Sequence, residues 1–136
     1  MAEKINFELV TPEALMFSKD VEMVVIPGAQ GDFGVLPEHA PLVSMLRPGL
    51  VTIYNGDTTE QLFVSSGYAD TSSKQCTVLA EEALPFKDIT REKVEARLAN
   101  AEDALKKAKT DLEYKKAESN FEAAKVLEML ISAEKH

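Results

Sequence analysis

"LVTIYNGDTTEQLFVSS", residues 50–66, sets two apolar-rich runs on either side of Asn55-Gly56. Asn-Gly accepts the positive φ angles of a tight primed turn, and the flanking runs are rich in β-branched and aromatic residues. The stretch therefore predicts a β-hairpin. The segments around it carry the same period. "INFELV" (5–10) places Ile5, Phe7 and Leu9 on one face. "DVEMVVIP" (20–27) alternates at first through Val21, Met23 and Val25, then turns apolar on both sides. "QCTVLAEEA" (75–83) adds a strand with Cys76 and Val78 on one side. Short strands about ten residues apart predict an antiparallel β-sandwich rather than a parallel sheet with crossover helices. The intervening Gly/Pro stretches are expected at the ends of that sandwich.

Glycine and proline stop together. All six glycines lie at or before Gly67, the last proline is Pro85, and the remainder is rich in Ala, Glu, Lys and Leu. A composition shift of this kind marks a domain boundary, placed between residues 86 and 87. Beyond it the period changes. Val94, Leu98, Ala101, Leu105, Ala108 and Leu112 alternate spacings of four and three, which makes one apolar stripe on a helix. Continued further, that stripe meets Lys115, Ser119 and Glu122 and fails. A second stripe in another phase runs through Tyr114, Ala117, Phe121, Ala124, Leu127 and Ile131. Two helices joined near Lys109–Glu113, forming an antiparallel hairpin, satisfy both phases; one bent helix is the alternative. The expected class is α+β, with a β-sandwich over 1–86 and a helical hairpin over 87–136.

Charge and composition exclude several roles. The chain has 136 residues, and its hydrophobic fraction of 45% can build a core. Residues 1–86 carry four basic side chains against twelve acidic ones, so the whole net charge of −8 sits there, while 87–136 is neutral with eleven of each sign. An acidic body repels phosphate backbones, which argues against nucleic-acid binding. No apolar run approaches the roughly 20 residues that span a bilayer, and the N-terminus has no signal-peptide core, so a soluble, cytoplasmic chain with no direct membrane insertion is expected.

Catalytic chemistry finds little to use. His39 and His136 are the two histidines, and Cys76 is the one cysteine. No GxSxG elbow accompanies His39, which reads as a loop histidine holding backbone groups or meeting a partner. No HxH, HExxH or CxxC spacing offers a metal site, so no metal or resident cofactor is expected. "GAQGDFG" (28–34) lacks the lysine and Ser/Thr of a phosphate-cradling loop and reads as a tight turn between strands. Cys76 reads as a small buried hydrophobe.

The run Pro27 to Pro41, "PGAQGDFGVLPEHAP", followed by Arg47-Pro48-Gly49, closely resembles the signature region of the ε subunits of the F-type rotary ATP synthase, counterparts of the mitochondrial δ subunit. The flanking "ELVTPEALMFS" (8–18) and "FVSSGYADTSSKQCTVLAEEA" (63–83) fit the same family, so the likeness covers nearly the whole chain. It implies a non-catalytic rotor subunit in a hetero-oligomer. Its sandwich would clamp the γ shaft and sit on the c-ring, on the cytoplasmic face of a bacterial inner membrane. It also implies that Asp32 and His39 face the ring loops, with Phe33, Gly34 and Pro37 supporting that surface. Proline and glycine would keep the turns stiff under load. The hairpin would pack compactly or extend toward the α/β hexamer and restrain ATP hydrolysis.

Some members of the family bind ATP through an I/L-D-x-x-R-A motif. Here Ile89-Thr90-Arg91-Glu92-Lys93-Val94 puts threonine for the aspartate and lysine for the arginine, and from Tyr114 onward there is no arginine. Lysine lacks the planar fork that grips phosphate. Asp88, Arg91 and Arg97 are the residues left to hold a nucleotide after a register shift. A stand-alone β-sandwich binding module with a helical tail is the alternative function.

Overall fold

The computed structural model describes residues 3–134. Eight strands form one folded-over sheet: β1 (Ile5–Val10), β2 (Leu15–Val21), β3 (Met23–Gly28), β4 (Gly31–Val35), β5 (Leu42–Met45), β6 (Gly49–Asn55), β7 (Thr58–Thr71) and β8 (Gln75–Pro85). A 3-10 turn (Phe86–Asp88) leads to α1 (Arg91–Lys107) and α2 (Asp111–Glu134). The chain divides into two compact units between Lys87 and Asp88.

The strand order is β2-β1-β8-β7-β6-β3-β4, with β5 on the far half of β7. β7 makes the sandwich from this one sheet. Its first half pairs with β6 from Thr58 to Val64, and its second half pairs with β5 from Tyr68 to Thr71. Between the halves Ser66 has φ 55° and Gly67 φ 135°, so the strand bends there. A Cβ at Gly67 would lie 1.9 Å from the Leu79 carbonyl oxygen, so only glycine fits the bend. The Gly/Pro stretches between strands are expected at the sandwich ends. Gly67 lies mid-strand, because the crossing from one layer to the other needs it. All the strand pairs are antiparallel except β1–β8, which runs parallel.

Ile5, Phe7 and Leu9 are fully buried and pack with Val24, Ile26, Val51, Ile53 and Val78 in the core between the layers. The expected hairpin is present, with Asn55 pairing Thr58 around Gly56-Asp57. "DVEMVVIP" departs from the alternation expected through Val21, Met23 and Val25, while its end is apolar on both sides as expected. The chain breaks at Glu22, between β2 and β3, and the phase slips by one, so that Val24 and Ile26 are buried while Met23 and Val25 are half-buried. The Glu22 carboxylate accepts the Gly56 N–H at 2.6 Å, fastening that joint to the β6–β7 turn.

In the helical unit the two phases belong to two helices. Ala108–Thr110 separates them, and Arg97 donates from Nε to Asn120 Oδ1 at 3.0 Å, positions nearly equidistant from the turn, so the helices run antiparallel. Val94 and Ala101 on α1, and Ala117, Ala124, Leu127 and Ile131 on α2, are buried as the stripes require. Leu112 belongs to the first turn of α2 rather than to the α1 stripe, and it is exposed.

Candidate docking surface

β3 and β4 are joined by a two-residue turn, Ala29-Gln30, closed by the Gly28–Gly31 pair. "GAQGDFG" is thus a turn between strands, and Gly31–Val35 is itself a short strand. Gly28 has no room for a side chain. A Cβ there would sit 2.8 Å from the Gly31 carbonyl oxygen and 2.9 Å from Cε1 of Phe33. Phe33 fills that space and packs, half-buried, against the core.

The turn is fastened to the chain that leaves β5. Ala29 N–H donates to the Met45 carbonyl at 2.8 Å, and Arg47 N–H donates to the Pro27 carbonyl at 3.0 Å. The Arg47 guanidinium adds two further bonds, from Nη1 to the Gly28 carbonyl at 2.6 Å and from Nη2 to Asp32 Oδ1 at 2.5 Å. Asp32 stands on the outer side of β4, exposed, with its carboxylate already engaged inside its own chain.

β5 forms the opposite wall. A groove of about 440 Å³ is lined by Ala29, Gly31, Asp32 and Phe33 on one side and Leu42, Val43 and Met45 on the other. Val43 is 66% exposed and Met45 62%, and Tyr68, which pairs with Met45 across the strands, is also exposed. A contiguous exposed apolar strip beside an ordered polar rim is the mark of a surface that meets another protein.

The remaining rim residues are placed differently. Leu36-Pro37-Glu38-His39 is a tight turn in which His39 N–H donates to the Leu36 carbonyl at 3.1 Å. Proline at the second position and φ 69° at Glu38, the third, are the features of a type II turn. Glu38 N–H donates to the Ser73 carbonyl at 2.7 Å, which ties the turn to the β7–β8 connection. His39 Nδ1 lies 2.8 Å from the Ala40 carbonyl oxygen, so the ring is held by local backbone. Pro37 lines another, smaller depression with Asn6, Ser73 and Lys74, so Asp32 with Phe33 and Pro37 line separate features of the surface. Gly34 lies exposed on β4. His136 lies outside the described residues.

The residues considered for a nucleotide have visible local roles. Thr90 caps α1, its Oγ1 accepting the Lys93 N–H at 3.3 Å. Asp88 and Arg91 are exposed on either side of that cap, and Arg97 bonds Asn120 on α2. Cys76 is fully buried, and burial, with the nearby Asp70 carboxylate adding to it, pushes its thiol from an ordinary 9.0 up to about 12. Among the described residues, no three His, Cys, Asp or Glu side chains gather as a metal site.

Sequence reasoning missed two parts of this surface. The apolar strip of β5 was hidden in a Gly/Pro-rich stretch, although "LVSM" is a strand-like run with little charge near it. The role of Arg47 was hidden because its two acceptors lie 15 and 19 positions earlier in the chain.

Fold and surface together define a β-sandwich with an exposed, partly apolar groove, followed in the chain by a helical hairpin. Residues 4–86 match the family model of the ATP synthase delta/epsilon chain β-sandwich domain. The ATP synthase epsilon chain of Rhodospirillum rubrum is 48% identical over 136 residues, covering 99% of each chain. That of Paramagnetospirillum magneticum is 49% identical over 112 residues, covering 82% of this chain and 84% of the relative. A chain in the cryo-EM structure of the Euglena gracilis mitochondrial ATP synthase, OSCP/F1/c-ring in rotational state 1, superposes with TM-score 0.77 over 94% of this chain and 81% of that one. At 24% identity, that likeness bears on the fold. The chain belongs to the ATP synthase delta/epsilon family.

Proposed function

We propose that this chain is a non-catalytic subunit of the central stalk of the proton-translocating F-type ATP synthase, linking proton flow through the c-ring to rotation of the γ shaft. The observation that carries this reading is the family match over the sandwich, together with near-half identity to epsilon chains along the whole length. The groove between the β3–β4 turn and β5 supplies the means of contact. Its exposed valine and methionine offer apolar area to a shaft, and the fastened turn beside them keeps that area in one shape. Preorganisation of this kind lowers the ordering cost of binding.

The subunit is peripheral to the membrane, at the cytoplasmic face of the bacterial inner membrane. The similarity to epsilon chains supports this placement, and no described helix is long and apolar enough to cross a bilayer. The hairpin, a compact unit of its own, is assigned the regulatory part through transient contact with the α/β hexamer. No regulatory ATP is assigned to it. Thr90 is spent on the helix cap and Arg97 on Asn120, which leaves Arg91 without a second arginine beside it for a phosphate.

The test is co-migration and replacement. The wild-type chain is expected to travel with a large ATP-hydrolysing complex in detergent extracts of native membranes and to show no turnover when pure. Val43→Asp with Met45→Glu should weaken its binding to the γ shaft by about tenfold or more, because charge would be buried in an apolar contact. Its thermal stability should stay near wild type, since both side chains are exposed in the free chain. A chain found outside the complex, or one with its own turnover, overturns the reading.

A further inference from the structure

Three segments meet at one side chain. Arg47 leaves β5, Gly28 ends β3, and Asp32 lies on β4, and the guanidinium bonds the last two through different nitrogens at 2.6 and 2.5 Å. A planar guanidinium presents its donors at fixed angles and can hold two acceptors at once, whereas an ammonium is a single mobile point. The Arg47 and Asp32 side chains are 42% and 59% exposed, so the pair adds little to global stability. What it does set is local. The turn it holds is one whole wall of the groove, and Phe33 braces the same turn from the core side by lying over Gly28.

We propose that Arg47 is the positioning residue of the docking edge. It holds the Ala29-Gln30 turn and the Asp32 carboxylate as one wall facing β5. Asp32 then serves docking through Arg47, not as an unengaged charge offered to a neighbour. This rests on the groove being the surface that meets the shaft.

The experiment compares the full-length wild type with Asp32→Asn, Arg47→Gln, the double variant and Arg47→Lys. The first readout is amide exchange at Ala29 and Arg47, whose N–H groups bond across the joint. Arg47→Gln should speed both by about twofold to fivefold, the range expected from losing an exposed charged pair. Arg47→Lys should fall between, and the amides of Phe7 and Val78 in the core strands should not change. A merely structural loss would move all of them.

The second readout is affinity for the purified γ shaft. Each single substitution should weaken it by about fivefold, and the double variant should be no weaker than Arg47→Gln, because the two residues act as a unit. Losses that simply add, with Asp32→Asn costing as much in the absence of Arg47, would overturn the proposal by showing that Asp32 acts on the partner itself. Unchanged exchange at Ala29 would overturn it as well. Should Arg47→Gln fail to fold, Arg47→Lys decides on the same amides. Should the wild type not bind the shaft, the functional reading falls, while the exchange measurement still decides whether Arg47 holds the turn.

Discussion

Cys76 shows how a single buried group makes stability depend on pH. Its side chain is wholly enclosed between β1 and β7, opposite Phe7 and Thr71, where water cannot solvate a thiolate. Below about pH 9 the thiol keeps its proton in the folded and unfolded chain alike, and the group adds no pH dependence. Between 9.0 and about 12 the unfolded chain loses that proton and the folded chain does not, so rising pH favours unfolding. Denaturant midpoints at pH 8 and pH 10.5 should therefore show the wild type losing about 2 kcal/mol more than Cys76→Ala over that interval. Equal losses would mean the thiol ionises in place. The burial of Cys76 was legible from its position two before Val78 on an alternating strand, as was that of Ile5, Phe7 and Leu9. Arg47 was not legible in the same way, because its partners are brought to it by two turns and not by any local spacing. Gly67 was not legible either, since sequence treats glycine as punctuation and only the approach of the Leu79 carbonyl shows it in mid-strand.

Among the elements, those with a clean period were read and those at edges were not. β1, the β6–β7 hairpin and β8 announce themselves by alternation, because one face is buried and the other is wet. β4 carries Gly31 and Gly34, and β5 exposes apolar side chains, so neither shows the contrast that marks a half-buried strand. The hairpin of helices was read from its change of phase, with no glycine or proline to mark the turn. A marker is present all the same in Thr110-Asp111-Leu112-Glu113. Thr110 Oγ1 accepts the Glu113 N–H at 3.1 Å, and Glu113 Oε1 accepts the Lys109 N–H at 3.2 Å, a reciprocal cap at the start of α2. Thr110→Ala should cost the helical unit about 1 kcal/mol. Amide exchange in the first turn of α2 should rise accordingly while the strands keep their protection, and unchanged exchange there would show that the helix start is held by other means. The helical unit is sensitive to such a loss because four of the seven buried hydrophobic residues on its helices are alanine, which bury little area each.

At the level of the whole chain, charge, composition and contacts divide at one place, and that division assigns the work. The sandwich holds the core cluster, the groove, the Arg47 joint and the entire net charge, and its strands pair with one another in a single sheet. The helical unit has its own buried seam and its own caps. Two compact units joined by one short connection should unfold separately and tolerate being parted. A chain ending at Lys87 is therefore expected to keep the sandwich fold, with a thermal midpoint within a few degrees of the corresponding transition of the full chain. It should also bind the γ shaft as tightly as the full chain, because every residue of the groove lies before the cut. Calorimetry and a shaft-binding titration of the shortened chain check both points. Collapse of the shortened sandwich would show that the helices complete its core. Loss of binding from a sandwich that stays folded would instead move the docking surface off the groove and onto the helices, and with it the part assigned to Val43, Met45 and Arg47.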